Sequence, residues 1–565
     1  MHDGFLLSTA HAPPLTSAEV AQIQAIFAAC YGGSASDWRY VEEADRWRIT
    51  HHAAAPLSTL HHGYATPHGL SDTALALSYL RAHSPFPAHN LSVAYTACTG
   101  RRLDRHQSTL EEVEHLSASN GRQQRPDGSW KTITAAAADE PALQRSFLNL
   151  DHAAAALCDA LDEALRSIAE AHARRSQRSG LKDVVLELSG GIDSTLIAIL
   201  ARRHFTHLRT ITVTSPLYAL SANAHWAQSA AHKLALDWRS ICRDDLLRAD
   251  ERCDTTRLEP ALPRGWDAGR ALQKHLHTQG VGLVLTGHGA DGLFALTSGE
   301  AARQKQQWGT LAWGRVLASM SLRRQGKPST QWLKNHLHVR TEEDRFHQMG
   351  PWYHSTHKAE LRHAVTAYAQ RMQQTAWQRC QQDAFFAAID AQQHPGNRGY
   401  PTWYAHPFLH PSVIQQTRQI PPWPHFHQKA VLRRALEHAG FHAHAQRPKE
   451  SILNSRLQHK GAPQTQMRLL RPLLDRSLRL LDEVSAPWAD AQALLHALTR
   501  GDAYPMAMML PLLSTAGVLE WDAHRQARAI APVHSSGLPL PDARTAEATF
   551  APIPTIASTS AASSL

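Results

Sequence analysis

A short run of glycines, hydroxyls and one carboxylate has a spacing that suits phosphate chemistry. The run S-G-G-I-D-S occupies residues 189–194, directly after an apolar stretch at 184–188 and before another at 195–201. The first stretch is typical of a buried parallel strand, and the second of the start of a helix. Glycines let the backbone approach an anion, and the first N–H groups of a helix have no partner within it. The run therefore predicts a phosphate-binding loop.

The side chains of this loop suit a nucleotide together with its metal. Asp193 offers a hard oxygen ligand for Mg²⁺, and the hydroxyls of Ser189 and Ser194 can donate to phosphate oxygens. No lysine follows the glycines, so the G-x-x-x-x-G-K-[ST] loop is excluded. The string resembles the pyrophosphate loop of the N-type ATP pyrophosphatases. That resemblance implies that ATP is cut between its α- and β-phosphates, AMP passes to a substrate oxygen and pyrophosphate leaves.

A second motif follows another apolar stretch, at residues 281–285. The segment T-G-H-G-A-D-G-L-F at 286–294 resembles the [ST]-G-E-G-[AS]-D-E-[LV]-F segment of the asparagine synthetase branch. The resemblance implies that Asp291 shares Mg²⁺ with Asp193. His288 stands where the family has its first Glu, and Gly292 where it has the second. A histidine there could accept a proton from an attacking ammonium, or it could only orient the ligand.

Three further segments resemble the same branch. The segment Y-A-H-P-F-L at 404–409 resembles R-x-P-F-L, and Q-K-A-V-L-R at 428–433 resembles the helix K-x-x-L-R. The segment R-P-K-E at 447–450 stands where the family has R-x-K-x. The last resemblance implies that Lys449 stabilises the negative charge that develops as a carboxylate is adenylated and then attacked. Lys449 and His288 are therefore the predicted catalytic residues.

The superfamily has several branches, which all adenylate a carboxylate and then let an amine attack it. The chain begins Met1-His2 rather than with the Met-Cys of glutamine-dependent asparagine synthetases, so we expect no release of ammonia from glutamine. It looks most like a lasso peptide cyclase. That resemblance implies that an Asp or Glu side chain of a leader-cleaved ribosomal peptide is adenylated, and that the peptide's own N-terminal amine closes a macrolactam. It also implies a leader peptidase and a leader-binding protein as partners.

Two alternatives stay open at this point. One is an amide synthetase that acts on a small amino acid, as asparagine and β-lactam synthetases do. The other is a non-catalytic scaffold that keeps the ATP-binding fold without the chemistry. It is disfavoured because both metal carboxylates and the lysine are present.

The elements that must position these residues can be predicted from apolar patterning. Apolar strands at 184–188, 210–214 and 281–285, with a helix at 152–173, predict a doubly wound, mostly parallel α/β sheet that binds ATP and Mg²⁺ at the carboxyl ends of its strands. The predicted ATP contacts, some implied only by the resemblance, are Leu188, Ser189, Gly190, Gly191, Asp193, Ser194, Val213, Thr286 and Gly287.

The chain divides into three predicted regions. Residues 149–527 form the ATP-binding and cyclase domain. Residues 1–148 form a smaller α+β domain, interpreted from its position as a degenerate glutaminase-like sandwich, with candidate strands at 47–50 and 90–95. Residues 528–565 are rich in Pro, Ala, Ser and Thr, and we expect them to be disordered.

The composition of the chain limits the binding partners and the cellular compartment that we expect. A formal net charge of +9 suits ATP, pyrophosphate or an acidic partner. Nucleic acid is the rival, because some pyrophosphate-loop enzymes modify tRNA, but the basic residues are spread along the chain and the motif at 286–294 favours the amide-forming branch. The six cysteines show no zinc spacing and no secretory signal is evident, which favours the cytoplasm. The apolar run at 503–519 is short and contains two prolines, so no membrane span is predicted.

Overall fold

The structure is a computed structural model, and its longest continuous described stretches are residues 149–214 and 400–447. The described residues are 6–8, 17, 21, 38–43, 46–51, 63–66, 69–71, 91–94, 108, 110–116, 120–124, 130–134, 149–214, 221–242, 246, 268–294, 352–371, 400–447, 489–499 and 518.

The described N-terminal residues include eight short strands in two antiparallel sheets. The sheets have the strand orders β1-β5-β4-β6 and β2-β3-β7-β8. The strands are β1 (Leu6–Ser8), β2 (Trp38–Glu43), β3 (Arg46–His51), β4 (Gly63–Thr66), β5 (Gly69–Ser71), β6 (Glu114–Leu116), β7 (Asn120–Gln124) and β8 (Trp130–Thr134).

One of the two candidate N-terminal strands is present and the other is not. Residues 47–50 lie in β3. Residues 91–94 are helical, so the expectation of a strand at 90–95 is wrong. Ser92, Val93 and Ala94 are all buried, so the alternating burial of a half-exposed strand is absent there. The glutaminase-like sandwich and the three region boundaries stay predictions.

A five-stranded parallel sheet carries the predicted nucleotide motifs. Its strand order is β11-β10-β9-β12-β13, and every neighbouring pair is parallel. Because the chain leaves β9 toward β10 on one side and later returns to β12 on the other, the strand order switches between β9 and β12. Ligands of open α/β sheets bind at such a switch point. The strands are β9 (Asp183–Glu187), β10 (Leu208–Thr214), β11 (Asp237–Cys242), β12 (Val281–Leu285) and β13 (Trp403–Ala405).

Helices accompany these strands along the chain. They are α1 (Leu150–Ser179), α2 (Ile192–Ala201), α3 (Ser221–Lys233), α4 (Ala268–Thr278), α5 (Ala290–Leu293), α6 (Ser355–Arg371), α7 (Pro411–Gln419), α8 (Pro422–His425), α9 (Ala430–His438), α10 (His442–Gln446) and α11 (Ala491–Thr499). Two 3₁₀ turns span Pro407–Leu409 and His427–Lys429.

Local sequence explains where the long helix α1 begins and ends and which of its faces is buried. Asn149 caps its first turn by accepting a hydrogen bond from the backbone of Asp151, and Gly180 ends it at a φ of 74°. The leucines that the sequence places at helical spacing, Leu157 and Leu161 among them, are fully buried. Burial of one such side chain contributes about 1.5–3 kcal/mol. The predicted helix at 152–173 is therefore confirmed and extends further at both ends.

Alternate residues of β9 face two separate hydrophobic cores. Val184 and Leu186 pack on the side of α1 and α2, whereas Val185 packs on the other side with Leu276 of α4. Helices therefore cover both faces of the sheet, which confirms the predicted α/β architecture. In the parts of the chain that the structure describes, no helix is both long enough and apolar enough to cross a membrane.

Candidate active site

The loop after β9 presents backbone amides at the start of α2. Gly190 has a φ of +68°, in the left-handed region that glycine adopts without strain. Gly191 is the N-cap of α2 and supplies no side-chain cap, so the first amides of this helix keep their donor capacity. The hydroxyls of Ser189 and Ser194 lie 3.0 Å apart, and the Ser194 hydroxyl also accepts from the Ser189 amide at 3.1 Å. The result is a closed turn in which the Ser189 and Gly191 amides donate to serine hydroxyls, with the N-terminus of α2 directly after it.

The loop after β12 lies directly against this turn. A Cβ added to Gly287 would meet the backbone nitrogen of Ser194 at 3.0 Å, so a larger residue would push the two loops apart. Gly289 has a φ of +95° and begins the short helix α5, whose first turn contains Asp291. Two motifs that are far apart in the sequence therefore meet at the switch point.

Lys429 joins the two predicted metal ligands. Its Nζ lies 2.5 Å from Oδ2 of Asp193 and 2.8 Å from Oδ1 of Asp291. The Lys429 side chain is only 10% exposed, whereas that of Asp291 is 63% exposed. Sequence reasoning assigned Lys429 no role, although it is the lysine of the Q-K-A-V-L-R segment. Its place in that motif was the available signal.

Arg447, which lies far from the glycine loop in the sequence, donates a hydrogen bond to the backbone of that loop. Its Nη1 donates to the carbonyl oxygen of Gly190 at 2.6 Å, and its guanidinium lies 5.4 Å from the centre of the Trp226 ring. Nη1 of Arg433 in turn donates to the Arg447 carbonyl at 2.8 Å. Lys449, the predicted catalytic lysine, lies outside the described residues, two positions after Arg447. Its role stays a prediction.

Two histidines form a polar cluster beside the loop after β12. Nδ1 of His406 lies 2.6 Å from the Thr286 hydroxyl, which also accepts from the backbone N–H of His288 at 3.2 Å. The rings of His288 and His406 are 5.6 Å apart and meet edge to face. Burial, with a smaller contribution from nearby His288, lowers the pKa of His406 to about 3. His406 is therefore neutral near pH 7, and sequence reasoning did not identify it.

The remaining predicted nucleotide contacts lie on the neighbouring strand ends. Leu188 donates its amide to Ile211 at 2.8 Å, and its carbonyl accepts from the Thr212 hydroxyl at 2.7 Å. The indole of Trp238 donates to the same hydroxyl at 2.9 Å. Val213 follows on β10 and is partly exposed. Leu188 and Val213 thus lie at the carboxyl ends of adjacent strands, where a nucleotide base could be held.

The donor set fits the predicted metal and nucleotide. Asp193 and Asp291 both reach one cation position, as their shared contact with Lys429 Nζ demonstrates, and carboxylate oxygens are the ligands that Mg²⁺ prefers. The first amides of α2, which no side chain caps, are donors that phosphate oxygens can accept from.

The comparison with protein families identifies the class. The asparagine synthase family model matches residues 161–523, which is more than half of the chain. This protein belongs to the asparagine synthase family. Membership indicates an ATP-dependent amide ligase, and both predicted metal ligands, Lys429 and Arg447 fall within the matched range.

Other comparisons are more distant. No curated protein matches the chain significantly. The U34-tRNA thiolase NcsA of Methanococcus maripaludis is 14% identical, with a TM-score of 0.16, over 38% of this chain and 80% of its own. The NH3-dependent NAD synthetase of Campylobacter jejuni is 18% identical, with a TM-score of 0.18, over 40% of this chain and 98% of its own. The family assignment depends on the asparagine synthase match alone.

Proposed function

We propose that this protein is an AMP-forming amide ligase that closes a macrolactam in a ribosomal peptide, as lasso peptide cyclases do. The observation that carries the proposal is the convergence of Asp193 and Asp291 beside the amides of the glycine loop. Mg²⁺ held by these carboxylates would neutralise charge on the triphosphate of ATP. The loop amides and the Ser189 and Ser194 hydroxyls would bind the leaving pyrophosphate.

Residues around this pocket have separate proposed roles. The strand ends at Leu188 and Val213, with Thr286 and Gly287, hold the adenosine part. Lys449 stabilises the charge that develops on the reacting carboxylate and phosphate. The ring of His288 lies 5.6 Å from that of His406, and its imidazole is the proposed acceptor of the proton that the attacking amine releases.

The resemblance of the motif set supports a peptide substrate. An Asp or Glu side chain within the peptide is adenylated, and the N-terminal amine of the same peptide displaces AMP to form the isopeptide bond. Nucleophile and acyl adenylate belong to one molecule, so holding them together lowers the entropic part of the barrier. A leader peptidase and a leader-binding protein would supply the trimmed peptide.

A substrate comparison tests this function. The full chain is incubated with Mg·ATP and, in separate reactions, a leader-free lasso core peptide, free aspartate or a β-amino acid. We expect AMP and pyrophosphate only with the peptide, together with loss of one water mass from it. AMP formation with a small amino acid instead would identify a small-molecule amide synthetase, and ADP with orthophosphate would contradict the proposed chemistry. Asp193→Ala and Lys449→Ala should each abolish the product, while Glu360→Gln, at an exposed position of α6, should not.

A further inference from the structure

Lys429 holds the position that a shared divalent cation would need. Its ammonium contacts one oxygen of each predicted metal ligand, at 2.5 Å for Asp193 and 2.8 Å for Asp291. An ammonium and a divalent cation at nearly the same point would repel each other strongly, particularly where little water is present. Either cation can therefore neutralise the two carboxylates, but both cannot do so in this geometry.

The backbone that carries Lys429 has an unusual conformation. Gln428 and Lys429 have φ values of 51° and 57°, in the left-handed region that residues with a Cβ adopt only at a cost of about 1–2 kcal/mol each. Two hydrogen bonds hold this turn: the Lys429 amide donates to Phe426 at 3.0 Å, and Nε of Arg433 donates to the Gln428 carbonyl at 2.8 Å. The ion pairs of Lys429 with the two carboxylates also offset the cost of this backbone conformation. Loss of those ion pairs would favour a different conformation of the turn.

We infer that Lys429 acts as an internal counter-cation that excludes divalent metal from the Asp193–Asp291 site until nucleotide phosphates are present. The inference rests on the proposed function in taking these carboxylates as the metal ligands. When a divalent cation replaces the ammonium, the displaced charge of Lys429 needs another anionic partner, because its side chain is nearly buried. The phosphate groups of a nucleotide at the neighbouring glycine loop provide that partner.

The consequence is a thermodynamic coupling between metal and nucleotide. When metal binds alone, the displaced Lys429 ammonium has no other anionic partner among the described residues. When metal binds together with a triphosphate, the metal pairs with the carboxylates and the Lys429 ammonium pairs with the phosphates. Coupling of this kind between two ligands of one site commonly amounts to about 5–150-fold in affinity, and it is reciprocal. Asp291, which is 63% exposed, leaves a side of the site open for the exchange of cations.

Metal binding in the absence of nucleotide tests the inference directly. Mn²⁺ is titrated into the full chain, and the free ion is followed by its paramagnetic resonance signal. We expect Lys429→Met to bind Mn²⁺ at least about tenfold more tightly than the unsubstituted protein. Lys429→Asn should shift affinity in the same direction, and asparagine tolerates the left-handed backbone at this position. Adding Asp291→Asn to Lys429→Met should remove the gain.

Lys233→Met is the matched control. Lys233 donates to the carbonyl of Gly440 and lies 4.4 Å from the centre of the Phe441 ring, so its replacement removes one ammonium group and its contacts away from the two carboxylates. It should bind Mn²⁺ like the unsubstituted protein. Equal Mn²⁺ affinity in the Lys429 variants and the unsubstituted protein overturns the inference.

A second titration separates this inference from the proposed function. In the presence of α,β-methylene-ATP, Mn²⁺ affinity should rise more in the unsubstituted protein than in Lys429→Met. If the analogue binds to no variant while the Lys429 variants still gain Mn²⁺ affinity, the proposed ATP chemistry fails and exclusion of metal by Lys429 stands. If the analogue raises Mn²⁺ affinity equally in both proteins, the coupling is not due to Lys429.

Discussion

Glu187 is an ionisable residue beside the proposed nucleotide contacts. It ends β9, one residue before Leu188, and burial raises its pKa to about 7. A carboxyl whose pKa is higher in the folded than in the unfolded state favours folding in its protonated form. The contribution of the Glu187 carboxyl to folding stability is therefore fully present below its pKa in the unfolded state. It is lost as the pH rises through its pKa in the folded state. Near neutral pH the ionised carboxylate destabilises the fold.

Glu187→Gln should therefore stabilise the protein in a pH-dependent manner. The free energy of unfolding should rise by about 1–3 kcal/mol near pH 8, and the gain should disappear near pH 4.5. The lower part of that range takes account of the partial exposure of the side chain. Urea unfolding at several pH values measures the effect, with Glu360→Gln, at an exposed position of α6, as the control. A gain that is the same at every pH would mean that the glutamine acts by packing and not by removing an ionised group.

Some residues of the candidate site could be predicted from the sequence, and others could not. Asp193 and Asp291 could be predicted because each belongs to a local motif with a glycine turn beside it. Lys429 lies 236 residues after Asp193, and His406 lies 120 residues after Thr286. Both residues lie in motifs that the sequence displays, at 404–409 and 428–433, but local patterning contains no information on contacts of that range, so their partners could be identified only from the fold.

At the scale of elements, the glycine loop depends on a segment far along the chain. The loop between β9 and α2 is held at the Gly190 carbonyl by Arg447, which is 8% exposed and follows α10. The strands and the two glycine turns could be predicted from apolar runs and turn residues. The attachment of the α10 segment could not, because an arginine in a basic chain gives no local signal for a buried hydrogen bond.

Arg447→Met should weaken nucleotide binding. The guanidinium hydrogen bond to the Gly190 carbonyl is charge-assisted, and such bonds contribute about 1.5–3 kcal/mol. We therefore expect the affinity for α,β-methylene-ATP with Mn²⁺, measured by calorimetry, to fall at least about tenfold. Arg203→Met, which removes an exposed ion pair with Asp162, should leave that affinity unchanged. Unchanged affinity in Arg447→Met accompanied by a lower melting temperature would assign Arg447 to stability alone.

At the scale of the molecule, the order of the parallel strands explains why the predicted site residues lie at one edge of the sheet. β9 lies between β10 and β12, so the loops after β9 and β12 leave neighbouring strand ends at the switch point, where open α/β sheets bind their ligands. The α/β class and the position of the site at the strand ends could be predicted from the apolar runs and the motifs. The strand order itself depends on pairing between distant segments, which the sequence alone does not encode locally.

The same arrangement predicts which bond of the nucleotide is broken. The carboxyl ends of β9 and β10, at Leu188 and Val213, are the proposed place of the adenosine part, and the glycine loop next to β9 is the proposed place of the outer phosphates. The α-phosphate then lies between them and faces the acceptor. A core peptide whose acceptor carboxyl carries oxygen-18 should transfer one labelled oxygen to AMP, detected by mass spectrometry. Label in orthophosphate would mean attack at the terminal phosphate, and label retained entirely in the peptide would mean that its carboxylate is never adenylated.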